Sequence, residues 1–478
     1  MRVTFLGHQG WQIENRGRSL LLDPILESVG NGAQRMPIWP QRRLDFTCLA
    51  PLDAVIISHE HADHFSLETL HALPRHCAIL VSDLSSNAMT TAIAELGFKV
   101  ERFSALRGFV INGITVTPLP GLYNLLEPDA YALLMQDEGN ASFLTAIDTV
   151  AHPDVFGWLA QHCPVRTLDS FTNNFIEPRQ SLLQDPQAYT QSRALVAANA
   201  MEFVRKFTPR RAVISGQGWS FQGAKAPLNH SCFSVDNTWL ASAARELAPH
   251  VEWFDGEPGM RFTLQADQVT VDRSPAIPAG LRTSRTFRPE ALPSEVFEPW
   301  SELHQLAGER LKAVRAFILE RFGLVLGAHA PKLMEALYYL KSQDIGHVVP
   351  TLGLSLRNGE SRCLYEFDYG HLVMREARSG RSKPPALGLE LWASDFELLL
   401  GAQEEAFTIY ESAVQRWNHV PGVIDDALLM ETLLWFTPRF RPQEFLGFYR
   451  SQIAALAALS VRWESGDRSR ETGVGSRE

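Results

Sequence analysis

A chain of 478 residues exceeds the roughly 250–300 at which single cores stop growing, so two domains are the natural expectation. With 45% hydrophobic and 21% charged residues it has apolar material for sizeable cores, which excludes wholesale disorder. The formal net charge of -10 excludes a broad phosphate-binding surface, because nucleic-acid affinity rests on Lys and Arg displacing counterions.

The opening Met1-Arg2-Val3-Thr4-Phe5-Leu6-Gly7-His8 runs directly into a strand without the apolar core of a signal peptide. No apolar run reaches the roughly 18–20 residues of a membrane span, so a soluble, cytoplasmic protein with no membrane partner is expected. From residue 1 to about 265, short β-branched runs alternate with helical stretches, an α/β pattern. Strands are expected at Val3–Leu6, Ser19–Leu22, Ala54–Ser58, Ile79–Ser82, Val110–Val116, Tyr131–Met135, Ser142–Ala146 and Ala212–Ser215. Helices are expected at 66–73, 85–96, 187–207 and 237–248, where apolar residues recur at three- and four-residue intervals. Cys48, Cys77, Cys163, Cys232 and Cys363 lie far apart without a CxxC pair, which suits a reducing compartment and offers no Rieske or zinc-knuckle motif.

The proline-punctuated stretch 267–293 reads as a linker, separating a first domain (1–266) from a C-terminal α+β domain (294–465), with 466–478 a disordered tail. Beyond the linker, Leu303, Leu306, Val314, Phe317 and Ile318 trace one face of a long helix, and Leu398–Tyr410 reads as another. Leu354–Leu356 and Cys363–Phe367 read as a hairpin around Asn358-Gly359.

The chemistry is concentrated in Asp53-Ala54-Val55-Ile56-Ile57-Ser58-His59-Glu60-His61-Ala62-Asp63-His64-Phe65, where a buried strand ends in three histidines and an aspartate within six residues. Neutral imidazoles and a carboxylate are good ligands for borderline first-row metals such as zinc, iron or manganese, provided one place gathers them. A polar loop cluster is the alternative, but histidines number only 15 in the whole chain.

This H-x-H-x-D-H motif resembles the signature of the metallo-β-lactamase superfamily, over residues 1 to about 265. Phe5-Leu6-Gly7-His8 followed by Leu20-Leu21-Leu22-Asp23-Pro24 looks closest to its UlaG-like and CMP-sialate-hydroxylase-like branch. The resemblance implies an αββα sandwich with a metal groove at one sheet edge, holding one or two ions. His59 and His61 would bind a first metal, Asp63 and His64 a second, and Asp148 would bridge them. His8 and Asp23 would either bind metal or hold a ligand histidine by its other ring nitrogen. Two family histidines are absent: Pro120-Gly121-Leu122-Tyr123-Asn124 stands where one is usual, and Gly216-Gln217-Gly218-Trp219 where the other is. His230 is a candidate to fold back as ligand and catalytic group with Asp63, and Tyr123, Glu127 and Asp129 are candidate oxygen substitutes. Asp148 also reads as a helix cap, and His230 as a hydrogen-bonded surface histidine.

Residues 25–52 form an insertion containing Arg35, Trp39, Arg42 and Arg43, either a solvated loop or a lid that grips an anionic substrate. Leu389–Gly401 loosely resembles sterol-carrier-like domains; a module that packs on the first domain or makes a homodimer is the alternative. The leading expectation is a metal-dependent hydrolase of a small substrate, anionic if the insertion is a lid that grips it. Non-haem iron oxygenation is the rival, and a non-catalytic metal- or ligand-binding protein the third reading.

Overall fold

The computed structural model describes residues 1–464 apart from 46–47, 123–127, 174–185, 231, 234, 282–284, 286–291, 293, 344, 379–382, 422 and 425. Two sheets face each other. The first runs, in spatial order, Gln268–Arg273, Met260–Gln265, Arg2–Gly7, Gly10–Asn15, Arg18–Leu22, Leu52–Ile57, Ala78–Ser82 and Lys99–Phe103. The second runs Glu252–Asp255, Arg211–Ser215, Leu168–Thr172, Ser142–Thr145, Tyr131–Asp137, Ile114–Pro120 and Phe109–Ile111.

Alternation along the strands decides what lies between the sheets. Val3, Phe5, Trp11, Ile13, Leu133 and Phe143 point into the shared core. On the first sheet's outer face, Leu6, Leu21, Val55 and Ile57 meet the helices Leu67–Ala72 and Asn87–Glu95. Helices Pro153–His162, Pro186–Phe207 and Asn237–Leu247 cover the outer face of the second sheet. The result is an αββα sandwich, the metallo-β-lactamase architecture that the motif resemblance implies.

Several elements differ from the sequence reading. The stretch expected as one strand over Val110–Val116 is a hairpin folded at Asn112-Gly113, where φ is 53° and 76°. Only a small or flexible pair tolerates two successive left-handed residues. Within the expected linker, Gln268–Arg273 forms the first sheet's edge strand; Val269 and Val271 alternate with polar residues, and most of its side chains are exposed. The helix expected over Leu398–Tyr410 is two, Ala393–Leu400 and Ala406–Ala413, and the long helix begins only at Gly308. The tail 466–478 lies outside the described residues.

A third sheet orders Val373–Glu376, Ser361–Asp368, Val349–Asn358, Pro385–Trp392 and Gln415–Asn418. Its core is continuous with Ile25, Val29, Ile38, Trp219, Leu228 and Phe233 from the loops of the sandwich. The last helix, Pro442–Glu464, returns to pack Phe445, Phe448 and Tyr449 on the first sheet's outer layer. Asn31 ties the halves together: Nδ2 donates to Phe65 O and Glu405 Oε1, both at 2.9 Å, while Oδ1 accepts from Leu67 N at 2.8 Å. Asn31→Ala leaves these buried groups unsatisfied and is expected to destabilise the fold by about 2–4 kcal/mol, read as a shift of the urea midpoint with unchanged slope.

Candidate metal centre

Every candidate ligand that converges here stands just past the carboxyl end of a strand, where open α/β sheets place their ligands. His8 follows Arg2–Gly7, Asp23 follows Arg18–Leu22, the H-x-H-x-D-H motif follows Leu52–Ile57, and Asp148 follows Ser142–Thr145. Three of these strand ends are bent into the left-handed region at non-glycine residues: His8 at φ 52°, Asp23 at 42° and Ile147 at 53°. Such strain persists only where the surroundings over-determine it, and it concentrates at functional sites.

Asp23, fully buried, organises the base of the site. Its carboxylate accepts from Ser58 N at 2.7 Å and Ser58 Oγ at 2.6 Å, and Oδ2 lies 2.8 Å from His64 Nδ1. Ser58 Oγ is 2.9 Å from His59 Nδ1, so one serine hydroxyl links Asp23 to a second imidazole. These contacts fix two rings by their Nδ1 atoms and leave both Nε2 atoms for the groove. His64 Nε2 lies 2.9 Å from Asp148 Oδ2 and 3.5 Å from Asp63 Oδ2, and His8 Nε2 lies 3.2 Å from Asp63 Oδ2. Gln9 Nε2 reaches Asp148 Oδ1 at 3.5 Å, while Gln9 Oε1 accepts from Thr172 Oγ1 at 3.3 Å.

Two groups of ligand atoms result, each with all members within 4.8 Å of one another: His8, Asp63 and His64; and His59, His64 and Asp148. Each is two imidazoles and one carboxylate, with His64 common to both. His59 Nε2 and Asp63 Oδ1 are buried without a hydrogen-bond partner. Buried polar atoms are nearly always bonded, so orphans in a donor set of this kind fit a cation. Burial, reinforced by the rings of His64 and His61, pushes the His59 imidazole well below its usual pKa and keeps it neutral. Burial opposes charge on His64 too, but Asp63 and Asp23 outweigh it and raise that imidazole well above its ordinary value. A proton on His64 thus supplies positive charge among three carboxylates, a role a metal ion would take over.

Not every expected residue joins these groups. His61 belongs to neither; its ring stacks on Phe407, with centroids 5.3 Å apart. His230 also stays outside them. It ends the 3₁₀ segment Gly223–His230, whose Leu228 is buried in the C-terminal core and whose Asn229 is locked to the backbone of Phe221 at 2.7 and 2.8 Å. Asp129 is buried beside the motif, where Oδ2 accepts from Glu60 N and Ser85 Oγ at 3.1 Å, but it is not among the grouped ligands. Tyr123 and Glu127 lie outside the described residues. In the insertion, Arg35 pairs with Glu68 at 2.8 Å, Arg42 bonds the carbonyls of Pro40 and Ile25, and Trp39 lies under Arg285. These three side chains hold the loop in place, and Arg43 is exposed.

The centre opens into a cavity of about 210 Å³, lined by His8, His61, Asp63 and Asp148 on one side. The C-terminal half supplies Phe407, Glu411 and Met430 to its wall, and Trp219 comes from the loop after Arg211–Ser215. Glu411 is buried, with Arg416 Nη2 3.5 Å from its Oε2. The sequence reading missed these residues. Their only signal is the apolar segment around Ala406, which carries no spacing that points to a distant metal motif.

A family model described as a beta-lactamase superfamily domain matches residues 2–137. A protein of Mycolicibacterium smegmatis, named as a Rieske 2Fe-2S iron-sulfur protein, is 32% identical over 99 residues, 20% of this chain and 19% of its own length. A UPF0173 metal-dependent hydrolase of Korarchaeum cryptofilum is 29% identical over 126 residues, 26% of this chain and 50% of that protein. The matches therefore span a fifth to a half of these relatives. Among solved structures, a diiron beta-hydroxylase from Streptomyces venezuelae (CmlA) aligns at 20% identity and TM-score 0.37, covering 55% of this chain and 54% of that one. Isothiocyanate hydrolase from Delia radicum gut bacteria aligns at 17% identity and TM-score 0.39, covering 56% and 100%. Scores this low carry no functional argument, and none of these matches supports the sterol-carrier likeness. Residues 2–137 of the chain are a beta-lactamase superfamily domain.

Proposed function

We propose that the protein is a metal-dependent hydrolase of a small substrate. The observation that carries this is the convergence of His8, His59, Asp63, His64 and Asp148 in two groups that share His64, beside a cavity lined by His8, Asp63 and Asp148, with His59 Nε2 and Asp63 Oδ1 unpartnered. His59, His64 and Asp148 would hold the metal, with Asp63 and His8 beside it. A bound divalent ion, zinc, iron or manganese, supplies a water of lowered pKa, toward ~7 for zinc, and polarises a carbonyl or phosphoryl oxygen. Asp63 Oδ1 stands ready to accept a proton from the attacking water, and His8 Nε2, 3.2 Å from Oδ2, fixes the carboxylate. Asp23 and Ser58 hold the rings of His64 and His59 in place. Phe407, Met430 and Trp219 exclude bulk water from the opposite wall.

A second reading, non-haem iron oxygenation, is favoured by one feature: both ligand groups are two histidines and one carboxylate, the set that suits Fe(II) with open positions. The two are separated by assaying neutral ester, lactone and amide substrates under argon and in air. Hydrolysis predicts equal turnover in both, abolished by chelation and restored by metal. Product formation only with dioxygen and a reductant supports the rival, and turnover that survives complete metal removal contradicts both.

A further inference from the structure

Beyond the His61–Phe407 stack lies a second chamber of about 90 Å³, and His61, Phe407 and Met430 line both it and the metal cavity. Its remaining walls are largely apolar, with Leu84, Pro128, Leu433, Leu434 and Pro438, and the exposed Arg439 joins them. Three carboxylates also face it, but the protein's own donors already hold each one. Glu60 accepts from Ser86 N at 3.1 Å and Ser86 Oγ at 2.6 Å, Asp129 from Glu60 N and Ser85 Oγ, and Glu405 from Asn31 N at 3.0 Å and Nδ2 at 2.9 Å.

We propose that this chamber is the subsite for a short, uncharged alkyl group of the substrate, adjacent to the bond broken at the metal centre. The inference rests on the metal cavity being the reaction site, and it adds the substrate class. Adjacency supplies the occupant: the chamber shares the walls His61, Phe407 and Met430 with the cavity that holds Asp63 and Asp148. Size selects a chain over a ring, since an apolar cavity that accepts benzene measures about 150 Å³. The apolar walls select an alkyl group, since a charged substituent buried against them loses its hydration.

The test is calorimetric titration of the full chain with the unbranched methyl ketones from 2-butanone to 2-octanone, on metal-loaded and on chelated protein. Affinity is expected to rise about fourfold per added methylene and then to stop rising when the chamber is full. Leu84→Trp, at a rim position 45% exposed and so tolerant of substitution, and Leu434→Trp, deeper in the wall, are both expected to flatten the series. Absence of binding, an unbroken rise, or a series unchanged in both variants overturns the proposal. So does tighter binding of n-butylammonium or butyrate than of a ketone of equal chain length. Binding is read without turnover and on metal-free protein, so a retained series with no hydrolysis counts against the proposed reaction and not against the chamber.

Discussion

His64→Ala is expected to lower metal affinity by at least about a hundredfold, the upper end of what loss of even an outer supporting partner costs. His64 is the residue shared by both ligand groups, so no second set survives its removal among the described residues. The substitution also strips Asp23, Asp63 and Asp148 of the cationic ring that lies within 2.8 to 3.5 Å of each. Metal per protein after dialysis against a weak chelator is the readout, with circular dichroism to show that the sandwich persists. Retention of wild-type stoichiometry would mean that the metal lies elsewhere.

Asp23→Asn separates support from ligation. The amide matches the carboxylate in size but must turn a donor toward Ser58 N, Ser58 Oγ or His64 Nδ1, all now served by the carboxylate within 2.8 Å. Leaving one buried group unsatisfied is expected to cost about 1–3 kcal/mol in metal-free protein. Because His64 loses its charged anchor, metal affinity is expected to fall about 10–100-fold as well. A purely structural Asp23 would show the first effect without the second, so denaturation of the metal-free form and metal titration of the folded form together decide its role.

Much of the sandwich was legible because its strands are apolar runs with clear punctuation. Leu52–Ile57 running into His59 is the plainest case, and the cluster past it follows from strand geometry. Asp23 and His8 were legible too, since each ends a strand at the same edge. What stayed hidden has physical reasons. The Asn112-Gly113 turn sits inside an apolar stretch that reads as one strand, and Gln268–Arg273 is an exposed edge whose period-two signal is only Val269 and Val271, next to a proline-punctuated stretch. Local pattern also gives no hint that helix Pro442–Glu464 returns to the first sheet, or that Phe407, Glu411 and Met430 wall the metal cavity. Such contacts are set by how two units dock, which depends on surfaces distant in the chain.

We propose that a cation is held past Ile57, between His59, His64 and Asp148. The most direct measurement is anomalous diffraction above and below the zinc and iron edges, from crystals grown with each metal. The account predicts a peak within bonding distance of His59 Nε2, His64 Nε2 and an Asp148 oxygen, with His64 Nδ1 still on Asp23. A site empty under both metals, with the His64–Asp148 contact intact, would contradict it.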